Sequence, residues 1–322
     1  ATVDVNVQPY AANFPQRLTA YVTGSPASSE VVRSAVDTAV RTRLATVPGA
    51  SVVFEQSHAA SLPAGEQRSY SFSVSVTGGN AYQAKGSVSV DIKNINLSSE
   101  KEKQLWYCND PENVATAGRL FVGLLKQYQP VRLLYHHINV SPVGMVIEIQ
   151  FVNTSQTDAV VLVRQGSSPP DKNPVLAGLV AADPFFRNWL NSSGELVLVP
   201  ARTSVPLTLR RLAPQETLSG LCSLSLLDKG PDSLMVRADA RTSAGNDRWQ
   251  ASRYGAGWRY VKPRPLPIVT FDLAPTNHVY PNPFKYEEVE YEVGSNYGFV
   301  RIGQKPIARE DHQGSLEGNF GV

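Results

Sequence analysis

The chain has 322 residues, 42% of them apolar, enough to supply two cores of ordinary size. Lys plus Arg number 30 against 28 Asp plus Glu, and a net charge of +2 gives no field that would draw in nucleic acid. No apolar run reaches the roughly 18 residues of a membrane helix, and two cysteines outside any CxxC pair support neither zinc nor thioredoxin-like chemistry.

In chain order, Val3, Val5 and Val7 alternate as a first short strand, and Leu18, Ala20 and Val22 as a second. A helix capped by Ser28 or Ser29 follows. Val32, Ala35, Val36, Ala39, Val40 and Leu44 recur at its spacing, Arg33, Asp37 and Arg41 share its wet face, and Pro48-Gly49 ends it. Val52–Gln56, then Tyr70, Phe72, Val74 and Val76 alternating with serines, then Val88, Val90 and Ile92 beyond a TGGN turn form a three-strand meander. Residues 1–97 therefore read as an α+β domain with one helix on an antiparallel sheet.

The polar run SSEKEK, Ser98–Lys103, reads as a solvated linker. Asp110-Pro111-Glu112 has the signature of a helix start, and Val114, Ala117, Phe121, Leu124 and Tyr128 continue a helical stripe up to Pro130. Residues 98–130 are thus expected to be linker and helix.

From 131 onward the pattern is β. Arg132–Val163 holds three strands: Met145, Ile147, Ile149 and Phe151 share one face of the second, and the third, Ala159–Val163, is apolar enough to be covered on both faces. Val175–Leu190 is helical, and Pro184 is expected to split it in two above one end of the strands. Further strands are read at Leu196–Val199, Val205–Leu209, Leu218–Leu226 and Leu234–Ala238, then in a tail whose prolines, Pro263 to Pro283, wrap as extended chain before strands at Val289–Val293 and Tyr297–Ile302. The fold class is mainly β with an α+β N-terminal domain, residues 131–322 forming a larger β-sandwich of immunoglobulin-like or jelly-roll-like type.

GxSxG, HExxH, GxxxxGK[ST] and GxGxxG are absent, and Ser98-x-x-Lys101 lacks the companion elements of an SxxK enzyme. No metal site or cofactor is expected. Adjacent His136 and His137 point to opposite faces of a strand; His136 is in phase with Leu134, Ile138 and Val140 as a core histidine, and His137 is on the polar side with Tyr135 and Asn139. Cys108 and Cys222 are either a disulfide closing a long loop or two buried thiols.

The most distinctive segment, RWQASRYGAGWRYVKPR, interleaves Arg248, Trp249, Arg253, Tyr254, Trp258, Arg259 and Tyr260, with Lys262 and Arg264 beyond, a mixture able to stack on sugars and hold anions. Its alternative is a strand whose aromatics enter the core. Glu287, Glu288, Glu290 and Glu292 offer a complementary acidic face, so the two segments suit pairing within one molecule or, as the expected arrangement, a head-to-tail contact between copies.

The start ATVDV, without Met, and the Ser-, Thr- and Val-rich strands fit an extracellular or cell-surface protein of bacterial type. The expected role is non-catalytic and structural, a self-associating subunit whose partners are its own copies or cell-surface components. A carbohydrate-binding accessory module using Trp249–Arg264 on a polysaccharide is the alternative. An extracellular hydrolase comes third, with Asp239, Asp247 and Asp272 available as carboxylates.

Overall fold

The computed structural model describes residues 8–14, 16–47, 50–54, 59–78, 80–97, 100–243, 260–261, 279–280 and 283. Val3–Val7 and the strands expected beyond residue 284 lie outside them.

The N-terminal unit contains β1 (Gln16–Thr23), α1 (Ser29–Arg43), β2 (Ala50–Phe54), β3 (Gln67–Gly78) and β4 (Ala81–Asn94). Ser28 caps α1 by accepting from the Val31 N–H, Glu30 lies in its first turn, and Arg41 and Arg43 lie in its last, each where the helix dipole favours it. The helix ends at Arg43, ahead of Pro48-Gly49. Its Val32, Val36 and Val40 bury against Val52, Phe54, Val74, Val90 and Ile92 in a core separate from the one that follows.

The second core is a sandwich. After β5 (Gln104–Cys108) and β6 (Asn113–Val114) come β7 (Gly118–Lys126), β8 (Val131–Asn139), β9 (Met145–Asn153) and β10 (Ala159–Ser167). Then follow α2 (Pro174–Leu190), β11 (Gly194–Val199), β12 (Thr203–Leu212), β13 (Thr217–Leu226) and β14 (Ser233–Thr242), with two short pairings by β15 (Tyr260–Val261) and β16 (Val279–Tyr280). Among the described residues one sheet runs β15-β2-β3-β4-β1-β11-β10-β13-β8-β5-β16, with β6 beside β8, and a second runs β12-β9-β14-β7. The large sheet passes through both cores: β1 lies parallel to β4 along its length and joins β11 only through Val22↔Glu195 and Thr23↔Gly194.

Three expectations are corrected. Residues 110–128 contain no helix. Leu120, Phe121 and Val122 are buried in consecutive positions, as β7 sits against β14 from Gly118↔Ala240 to Lys126↔Ser233, so long-range pairing overrides the helical stripe. A Cβ on Gly123 would lie 2.8 Å from the Trp106 ring, so that glycine admits the indole packed against Phe121. Second, Pro184 does not split α2, a single helix capped by Asn173. Ala177, Ala181 and Phe185 press both halves onto β10 and β13, which compensates for the missing hydrogen bond. Third, Glu102 of the charged run is buried rather than solvated, with Arg132 Nη2 at 3.3 Å and Trp189 Nε1 donating to it at 3.0 Å.

Candidate functional site

The residues that looked most distinctive in the sequence fall largely outside the described ones: Arg248, Trp249, Arg253, Tyr254, Trp258, Arg259 and the acidic Glu287, Glu288, Glu290 and Glu292. Tyr260 is placed by its backbone, where β15 pairs with the outer strand of the N-terminal sheet through Tyr260↔Val52. Asp239 is held between Arg237, at 2.5 Å, and Arg119, at 3.6 Å, while Asp247 and Asp272 lie outside.

The histidine pair splits across two faces, with the assignments reversed. His137 is fully buried among the core-facing residues of β8, and His136 is half-buried on the opposite face. Cys108 and Cys222 are free, buried thiols, with β8 between their strands β5 and β13, farther apart than a disulfide spans. Cys108 Sγ instead lies 3.3 Å from His137 Nε2, whose Nδ1–H donates to the Pro111 carbonyl at 3.0 Å. Burial raises the thiol and depresses the imidazole to about 4, so both partners stay neutral at pH 7, the opposite of an activated thiolate–imidazolium nucleophile. Among the described residues, no group of three or more His, Cys, Asp and Glu side chains is arranged to hold a metal.

Two features have the form of sites. The first is α2. Its inner arc, Ala177, Ala181, Phe185 and Asn188, is buried on the sheet, with Arg132 stacked under Phe185 and Trp189. Its outer arc carries Val175, Leu176, Leu179, Val180, Phe186 and Leu190, with Val175 79% and Leu190 72% exposed. The only outer charges are Asp183 and Arg187, paired to each other at 2.9 Å. A helix apolar on all sides is ordinarily a buried one, and here half of that surface faces outward. The sequence carried this signal as apolar residues at every phase of the helix.

The second is a cleft on the opposite face of the large sheet, where α1 and β12 stand on either side of β11. Its volume is about 150 Å³, and its rim and floor include Arg33, Ser34, Asp37, Thr38, Gln165, Glu195, Leu207 and Arg210. Glu195 lies at the junction of the two cores. Its carboxylate accepts from Ser34 Oγ at 2.7 Å, Thr38 Oγ1 at 3.2 Å and Gln165 Nε2 at 3.4 Å. Burial pushes its pKa up to about 7; the hydroxyls and Arg41 pull the other way without prevailing. Around it Thr23 donates to the Ser192 carbonyl, the Ser28 N–H to Ser193 Oγ, and Ser28 Oγ to Asn188, so hydrogen bonds lace the junction. Sequence reasoning missed Glu195. The available signal was its phase, because it shares a strand face with Val197 and Val199.

No protein-family model and no curated protein matches the chain. Among solved structures, one from a study of the promiscuous specificity of carbohydrate-binding modules of the β-sandwich superfamily is similar over 60% of this chain and 84% of that one. The identity is 10% and the TM-score 0.16, too slight to carry a functional argument. The chain itself defines a β-sandwich fused through one sheet to a small α+β unit, and no described helix is long and apolar enough to cross a membrane.

Proposed function

We propose that this protein is a non-catalytic assembly subunit that associates with copies of itself through the outer face of α2. The observation that supports this reading is the uncovered arc from Val175 to Leu190. A second copy suits it because the arc repeats about its own centre. In an antiparallel pair with a two-fold axis near Ala182, Val175 meets Leu190 of the partner subunit and Leu179 meets Phe186 of the partner subunit, so one patch serves as both halves of the contact. An extracellular or cell-surface setting belongs to the proposal on composition alone.

Sedimentation velocity over a concentration series tests it, with Leu179→Asp and Phe186→Asp as variants. The wild type is expected to form dimers or larger species and both variants to stay monomeric. An apolar contact persists at high salt, whereas one between the Arg248–Arg264 and Glu287–Glu292 segments would weaken. A wild type monomeric at every concentration and ionic strength rules out the proposal.

A further inference from the structure

The outer arc of α2 leaves the cleft above Glu195 unexplained, since α2 contributes only the buried Asn188 of its inner arc to the cleft's lining. We propose that this cleft is a binding site for a small uncharged polyol, of the size of a single sugar unit, with Glu195 as the hydrogen-bonding group at its base.

Room comes first. A volume of about 150 Å³ far exceeds the roughly 10–15 Å³ that one water needs and falls short of the roughly 300 Å³ at which drug-sized pockets begin. The lining then selects the chemistry. Glu30, Asp37 and Glu195 stand against Arg33, Arg41 and Arg210, so a ligand with net charge of either sign meets repulsion as well as attraction. A hydroxyl group, which donates to a carboxylate and accepts from a guanidinium, uses both sets. Val163, Val197 and Leu207 add an apolar wall suited to ring C–H groups.

The state of Glu195 agrees with this. With its pKa raised to about 7 by burial, the carboxyl is present both protonated and ionised near neutrality, and either form bonds to a hydroxyl. Ser34 and Thr38, one helical turn apart on α1, fix its orientation from above, and Gln165 fixes it from β10.

Isothermal titration calorimetry of the full chain with methyl α-D-glucoside, methyl α-D-galactoside, methyl α-D-mannoside and xylitol tests the site. At about 10 mM ligand, a site with a dissociation constant of about 1 mM is some nine-tenths filled. Glu195→Ala removes the hydrogen-bonding group at the base of the cleft, Leu207→Trp narrows its mouth without touching Glu195, and Val143→Ser, at an exposed position between β8 and β9, is the control. At least one of the four is expected to bind the wild type and the control alike, and to lose about tenfold or more in both cleft variants. Absence of binding by all four, wild-type affinity in either cleft variant, or preferential binding of n-butylammonium or acetate each overturns the proposal.

Discussion

Ser34, midway along α1, donates a 2.7 Å hydrogen bond to Glu195, 161 residues later on β11, and so ties the helix of one core to a strand of the other. Thr38 and Gln165 also donate to this carboxylate, and Asp37 and Arg41 face it from the same helix. The consequence is a specific pH dependence. A carboxyl raised to about 7 in the folded state and ordinary when unfolded favours folding below about pH 4.5, and that contribution disappears as pH rises through 7. Glu195→Gln retains hydrogen-bonding groups without the charge. It is expected to be more stable than the wild type at pH 8 by about 2–3 kcal/mol, with the difference shrinking toward pH 5, as read from urea midpoints.

His137 has the opposite sign. Depressed to about 4 by burial in the sandwich, its imidazole contributes stability present above pH 6.5 and lost as pH falls through 4. Between pH 5 and 7 the two groups offset each other, and a flat wild-type profile is expected. Glu195→Gln exposes the histidine slope, with stability falling toward acid, and His137→Gln exposes the glutamate slope, with stability falling toward base. Urea titrations at half-unit pH steps check both; parallel profiles in the two variants contradict the assignment.

Much of the fold was legible wherever one face of an element is buried. The alternation Met145, Ile147, Ile149, Phe151 became β9, and Val32, Val36 and Val40 became the inner face of α1. Legibility failed where burial is set by a distant partner. Phe121 belongs to the helical stripe from Val114 to Tyr128 and yet lies in a strand because β14, over a hundred residues later, pairs with it. The faces of His136 and His137 were reversed because both faces of β8 are partly covered, and only the opposing sheet decides which is drier. Glu195 shows only its phase with Val197 and Val199, because the Ser34 and Thr38 that bond to it come from a distant helix. The Trp249–Arg264 segment, distinctive in composition, lies outside the described residues apart from the backbone of Tyr260 and Val261.

Cys108 and Cys222 are both fully buried, so native protein is expected to resist iodoacetamide, while denaturation without reductant exposes two reactive thiols. Mass spectrometry of the alkylated chain should show no adduct in the first case and two in the second. An unmodified denatured chain that gains two adducts only after reduction contradicts the free-thiol structure.

Two glycine-to-alanine substitutions near α2 should act in opposite directions. A Cβ on Gly166 of β10 would lie 2.1 Å from the Ala181 carbonyl oxygen and 2.6 Å from the Phe185 nitrogen, both α2 backbone, so either the helix or the strand must move. Gly166→Ala is expected to cost about 1–3 kcal/mol through overpacking and to loosen α2 from the sheet. Gly178, on α2 itself, has nothing within 4 Å of where its Cβ would stand, and alanine there removes a helix-weakening residue. Gly178→Ala should therefore stabilise by about 0.5–1 kcal/mol. Urea midpoints of the two variants supply the measurement. A neutral Gly166→Ala would show that α2 does not rest on β10 at this point, and the exposed arc from Val175 to Leu190 would then have to be redrawn.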